Sequence, residues 1–105
     1  MNNVNEFNIE NFIKKAKTLD FFKLYNYCQM ELGKLDQIKY TKGGFYNDVK
    51  SDLLHYKKFI HEFAYILTNG NKPANLSEDD FVLTKQIIEE LVRKKQLKPE
   101  ILKIY

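Results

Sequence analysis

The segment FYNDVKSDLLHYKKFIHEFAYILT, residues 45–68, decides the fold class. Seven of its apolar residues follow one another at steps of three and four: Tyr46, Val49, Leu53, Tyr56, Ile60, Phe63 and Leu67. This spacing places them on one side of an α-helix, because a strand would alternate apolar and polar residues. Four further apolar residues widen that side: Leu54, Phe59, Ala64 and Ile66. The width exceeds the stripe of a two-stranded coiled coil, so we expect a helix packed inside a bundle.

Further helices are predicted on both sides of this segment. An earlier one covers residues 19–35, where five residues share an apolar face: Phe21, Leu24, Cys28, Leu32 and Leu35. A later one begins after Ser77, a typical N-cap residue, with acidic residues in its first turn and basic residues in its last. Asn69 and Gly70 end the central helix, since both tolerate the left-handed backbone conformation that ends helices.

Shorter helical pieces are expected near both termini. Apolar residues between positions 9 and 16 predict a first helix with Asn8 as its cap, and the sequence leaves open whether it fuses with the next helix. Pro99 begins a last helical turn over residues 99–105. We therefore predict an all-α fold with one helical domain over residues 1–105. It is a small bundle of three main helices with short terminal helical pieces, and residues 1–7 are expected to be flexible.

Composition excludes several classes of protein. No apolar run approaches the ~20 residues of a membrane span, so no membrane partner is expected. Cys28 is the single cysteine, which excludes an internal disulfide and a zinc cluster built on cysteines. An intracellular, cytoplasmic location is the expectation for such a chain.

Residues that carry chemistry are few. Asp48, Asp52, His55 and Glu62 share one face of the central helix, beside the apolar seam. Asp48 and His55 are ~10 Å apart along the axis, too far for one ion without other ligands, and we interpret the face as solvated. Cys28 lies on an apolar face, where a thiol behaves as a small hydrophobic group. We expect no catalytic residues, no metal and no cofactor, and thus a protein that is not an enzyme.

The formal net charge is +3, and basic residues are mildly concentrated between Lys39 and Lys58. Two glycines there precede the central helix, whose first backbone N–H groups suit a phosphate or carboxylate. Neighbouring Tyr and Phe residues suit stacking on bases or anchoring a protein interface. The predicted partner- or nucleic-acid-binding residues are Lys39, Tyr40, Lys42, Gly43, Gly44, Phe45, Tyr46, Lys50, Lys57 and Lys58. The alternative is that Gly43 and Gly44 only let the chain reverse between two helices.

Three classes of function are compatible with these residues. The favoured one is a small non-enzymatic interaction protein that binds and inhibits or modulates a larger protein or ribonucleoprotein partner. The alternative is a protein that binds RNA, single strands or a nucleotide through the region Lys39–Lys58. An enzyme is the third class, and no residue pattern supports it. A homodimer through the apolar seam is a further possibility for the oligomeric state.

The whole chain resembles small inhibitors of bacterial defence, such as the anti-CRISPR proteins. It shares with them a small size, an amino-acid composition typical of AT-rich genomes, and a lack of catalytic motifs. The abundance of Lys and Asn, with the single Arg93, belongs to that composition. These inhibitors are encoded by phages or other mobile elements. The resemblance lies in size and composition and not in a motif. It implies a partner that is a CRISPR effector nuclease or its guide RNA.

Overall fold

The structure is a computed structural model that describes residues 7–37 and 46–105, with side chains for residues 7–37 and 52–105. These residues form four α-helices, α1 (Ile9–Ala16), α2 (Phe21–Gln37), α3 (Tyr46–Asn69) and α4 (Glu78–Arg93), followed by a 3-10 helix (Pro99–Ile104). No strand occurs in the described part of the chain. The prediction of an all-α fold is therefore confirmed. Of residues 1–7, Phe7 is described, and its ring centroid lies 5.9 Å from that of Tyr56.

The helix ends follow the local sequence signals. The Asn8 side chain accepts a 2.8 Å hydrogen bond from the Asn11 N–H at the start of α1. The Ser77 hydroxyl oxygen accepts one of 3.2 Å from the Asp80 N–H at the start of α4. Gly70 ends α3 with φ of +70°, and its N–H donates to the Ile66 carbonyl at 2.9 Å. These three ends are short-range features, which is why the sequence predicts them.

The first two helices are separate. Asp20 interrupts them and accepts a 2.9 Å hydrogen bond from the Lys23 N–H, so it caps the start of α2. The end of α4 holds the connection in place. Lys94 Nζ donates to the Lys17 carbonyl at 2.8 Å, and Gln96 Oε1 accepts from the Phe21 N–H at 3.2 Å. The turn between α1 and α2 is thus fixed by residues distant in sequence.

All four α-helices contribute to one apolar core, and the aromatic ring at its centre is that of Phe12 from α1. Phe12 is fully buried, and its ring lies within about 6 Å of those of Tyr27, Phe59 and Phe63. The apolar seam of α3 was predicted to be buried. Each of its residues with a described side chain is buried: Leu53, Tyr56, Ile60, Phe63 and Leu67. Leu54, predicted to widen that apolar surface, is instead 48% exposed.

The helices pack in a definite order. The long helices α2 and α3 lie against each other, and α1 packs on α4. The 3-10 helix returns to α4, where the Tyr105 ring stacks on Phe81 with centroids 4.4 Å apart. The Tyr105 and Thr84 hydroxyls share a 2.7 Å hydrogen bond. Among the described helices, none has the length and apolar character required to cross a bilayer.

Candidate interaction surface

The predicted binding region falls mostly outside the described residues. The gap at residues 38–45 contains Lys39, Tyr40, Lys42, Gly43, Gly44 and Phe45. Tyr46 and Lys50 belong to the first turns of α3, where the backbone is described. The described side chains of the predicted set are Lys57 and Lys58, which follow each other on α3.

Lys57 is engaged within the fold. Its Nζ donates to Asp36 Oδ1 at 2.8 Å and ties α3 to the last turn of α2. This hydrogen bond and the lysine charge hold the pKa of the Asp36 carboxyl below its usual value. The charge of Lys57 is therefore offset by an acid of the same chain, which makes it a weaker candidate for partner binding than Lys58.

Lys58 lies on the outward side of α3 in a row that we call the outer stripe: Leu54, Lys58, His61 and Tyr65. The spacing of four, three and four residues aligns them on one helix face. Leu54 and Tyr65 are 48% and 44% exposed, and the two basic residues between them are also exposed. The outer stripe therefore combines two large apolar side chains with Lys58 and His61.

A second surface lies between α1 and α2, and we call it the α1–α2 groove. It has a volume of about 290 Å³ and is lined by Lys15, Leu19, Lys23, Asn26, Tyr27 and Met30. Lys15 belongs to α1 and Lys23 to α2, so a lysine stands on each wall. Met30 is 51% exposed, and Phe22, one residue before Lys23, is 77% exposed. The groove is thus apolar in its floor and basic at its walls.

The floor of the α1–α2 groove is anchored in the core. The Tyr27 ring stacks on Phe12, with centroids 5.4 Å apart and planes 10° apart. Burial, followed by the neighbouring Glu31 charge, raises the pKa of the Tyr27 hydroxyl to about 12. Tyr27 is therefore neutral near pH 7 and adds no negative charge to the groove.

Glu31 is a carboxylate that the fold buries, with 5% of its surface exposed. Its Oε1 accepts a 2.9 Å hydrogen bond from the Tyr56 hydroxyl, and the Tyr27 hydroxyl lies 3.5 Å away. Its Oε2 has no hydrogen bond among the described residues, and Lys34 Nζ lies 3.4 Å from it. This arrangement pairs the charge and links α2 with α3.

His55 and Cys28, considered for metal binding and catalysis, make their contacts within the fold. His55 Nε2 lies 2.7 Å from Asp80 Oδ2, so the histidine joins α3 to the first turn of α4. Cys28 is fully buried, and desolvation raises the pKa of its thiol to about 12, far from the thiolate state that a nucleophile needs. Over the described residues, no cluster of three or more potential metal ligands is present.

The α1–α2 groove was not predicted from the sequence, although one signal of it is present there. Phe22, Asn26 and Met30 follow one another at steps of four, on the side of α2 away from its buried residues Leu24 and Cys28. Two large apolar residues on a helix face that the core does not use indicate a surface with another role. The contribution of α1 depends on its docking, which no local pattern encodes.

Comparison with known proteins yields no relative. No protein-family model, curated protein or solved structure matches this chain.

Proposed function

We propose that this chain is a small non-enzymatic interaction protein that binds a larger protein partner and inhibits or modulates it. The observation that supports the proposal is the outer stripe of α3. Leu54 and Tyr65 remain about half exposed there, beside exposed Lys58 and His61. Tyrosine side chains that lose their water on binding contribute strongly to protein interfaces.

The charge of the outer stripe favours an acidic surface on the partner. Lys58 is exposed in this row, and Lys50 occupies a position four residues before Leu54 on the same helix. An acidic groove complements this row and would speed the encounter between the two proteins. The partner class we propose is a CRISPR effector nuclease, or the ribonucleoprotein that contains it, as the resemblance in size and composition implies. A cytoplasmic location goes with that partner.

We also propose that α2, α3 and α4 form the body of a three-helix bundle, with α1 and the 3-10 helix as its terminal pieces. In its support, these are the three longest helices of the described residues, with 17, 24 and 16 residues. Buried residues of all three belong to one core cluster.

The test is native mass spectrometry of the tagged protein recovered from cells that express a CRISPR effector. We expect a complex of defined stoichiometry with the effector. The double variant Lys58→Glu with Tyr65→Ala should abolish the complex while the circular dichroism spectrum stays helical. Val82→Ala with Lys85→Glu makes the same kind of change on the exposed side of α4 and should leave the complex intact.

Two outcomes would contradict the proposal. A complex that survives Lys58→Glu with Tyr65→Ala would remove the outer stripe as the contact. Recovery of RNA in place of a protein, with binding that falls steeply as salt rises, would support the nucleic-acid alternative.

A further inference from the structure

We infer that the α1–α2 groove is a docking site for an acidic peptide segment of a partner protein, with an apolar anchor residue in the groove and carboxylates on both sides of it. The inference goes beyond the proposed function, because the groove and the outer stripe lie on different helices. It concerns Lys15, Leu19, Lys23, Asn26, Tyr27 and Met30.

The shape of the groove favours an inserted side chain over a whole small molecule. It has a volume of about 290 Å³ and is open to solvent, whereas small-molecule sites enclose most of the surface of their ligand. Leu19, Tyr27 and Met30 supply apolar atoms to its lining. Met30 is 51% exposed, so an apolar group placed against it would remove apolar surface from water.

The lysine charges beside the groove favour an acidic segment over a basic one. Lys15 and Lys23 flank the floor from opposite helices, and neither makes an ion pair with any described residue. The nearby Lys14 is paired with Glu10. Asp20, the acid closest in sequence to Lys23, accepts the hydrogen bond that caps α2. Carboxylates on each side of the anchor would therefore find an available ammonium group on each wall.

The groove favours a peptide over a nucleic acid because it offers a poor stacking surface. Single strands bind where bases stack on open aromatic faces between basic residues. The ring of Tyr27 is half-buried and already stacked on Phe12. The other apolar residues of the lining, Leu19 and Met30, have no ring, and the exposed ring of Phe22 is not part of the lining. The lining therefore suits an aliphatic or aromatic side chain of a peptide.

The two walls are held at a fixed separation before any partner arrives. The hydrogen bond from Lys94 Nζ to the Lys17 carbonyl ties the end of α1 to α4. The bond from the Phe21 N–H to Gln96 Oε1 ties the start of α2 to the same region. A preformed groove lowers the ordering cost of binding.

The test is a two-dimensional ¹⁵N–¹H NMR titration of the full chain with a synthetic peptide of Glu-Glu-Leu repeats. The control peptide carries Lys in place of Glu. We expect the acidic peptide to shift the amide signals of residues that line the groove, and the basic peptide to leave them unchanged. Lys15→Glu with Lys23→Glu should weaken the affinity at least tenfold. Lys85→Glu with Lys103→Glu, the same change on α4 and the 3-10 helix, should not.

A milder pair, Lys15→Gln with Lys23→Gln, keeps the test valid if the charge-reversed variant fails to fold, and it too should weaken binding. Met30→Ser should weaken binding without changing the charge. Three results would overturn the inference: equal binding of both peptides, shifts confined to the outer stripe, or shifts at the groove when the protein alone is concentrated. The last result would assign the groove to a second copy of this chain. None of them affects capture of an effector through the outer stripe, so the two proposals fail separately.

Discussion

The Tyr56 hydroxyl donates a 2.9 Å hydrogen bond to Oε1 of Glu31 and so connects α3 to a buried carboxylate of α2. Burial, followed by the charge of Glu31, raises the pKa of Tyr56 well above its usual value, so the hydroxyl remains a donor at all moderate pH values. Lys34 Nζ lies 3.4 Å from the other carboxylate oxygen. A buried carboxylate with few partners makes the fold depend on each of them.

Removal of the Tyr56 hydroxyl should therefore destabilise the protein. We expect Tyr56→Phe to lower the free energy of unfolding by about 1–3 kcal/mol, because Oε1 of Glu31 would keep only the distant Tyr27 hydroxyl. Urea unfolding followed by circular dichroism measures the change. Tyr65→Phe is the matched control, since it removes a hydroxyl from a partly exposed residue of the same helix.

A loss below about 0.5 kcal/mol for Tyr56→Phe would show that the hydrogen bond contributes little. The double variant Glu31→Leu with Tyr56→Phe provides a second test of this hydrogen bond. Since it replaces both polar partners with apolar groups, we expect it to be more stable than Tyr56→Phe alone.

Alkaline pH should unfold this protein through its buried acidic protons. The pKa values of Cys28 and Tyr27 are raised from 9.0 and 10.0 to about 12 by burial. Between pH 9 and about 12 the folded state binds more protons than the unfolded chain, so the free energy of unfolding falls as pH rises. The stabilising contribution is complete below pH 9 and is lost progressively up to pH of about 12. Urea unfolding at a series of pH values measures this slope.

Cys28→Ala tests whether the Cys28 thiol causes the fall in the free energy of unfolding between pH 9 and 10. This thiol titrates before the tyrosines in the unfolded chain, so the variant should show a flatter profile between pH 9 and 10. Overall stability should also drop because the side chain is fully buried, but the slope is the diagnostic quantity. An unchanged slope would mean that Cys28 ionises equally easily in both states.

The features predictable from the sequence are those encoded by local spacing. Ser77 and Asn8 cap their helices through residues three positions away, and the apolar seam of α3 is buried because a helix repeats every 3.6 residues. Phe12 is different. The sequence placed it in a short terminal piece, whereas docking of α1 puts its ring among Tyr27, Phe59 and Phe63. That position depends on tertiary packing, which spacing within one helix does not contain.

The same distinction applies to the candidate surfaces. Lys58 was predicted as a binding residue from composition, and its exposure agrees with such a role without testing it. The pairing of Lys57 with Asp36 depends on how α2 lies against α3, so composition did not reveal it. The α1–α2 groove likewise exists because two helices meet at a turn held by Lys94 and Gln96.

The bond between His55 and Asp80 should stabilise the contact of α3 with α4. We expect Asp80→Asn to lower the free energy of unfolding by about 0.5–2 kcal/mol more than Asp79→Asn does. Both changes remove a carboxylate from the first turn of α4, so they lose the same favourable interaction with the helix dipole. Asp80 differs in its 2.7 Å contact with His55 Nε2. Chemical denaturation of the two variants at one pH gives the comparison, and equal losses would show that the contact adds nothing.

Lys95 adopts the left-handed conformation that glycine favours, with φ of +61°. It ends α4 in a Schellman arrangement, in which the Gln96 N–H donates to the Leu91 carbonyl at 2.8 Å and the Lys95 N–H to the Val92 carbonyl at 2.9 Å. Lys95→Gly should raise the free energy of unfolding by about 0.5–1 kcal/mol, because glycine has no Cβ to strain there. Thermal and urea unfolding measure the gain. Lys95→Ala, which loses the charge but keeps the Cβ, should show no gain, and Lys85→Gly within α4 should lose about 1 kcal/mol. A gain shared by Lys95→Ala would assign the effect to charge instead of backbone conformation.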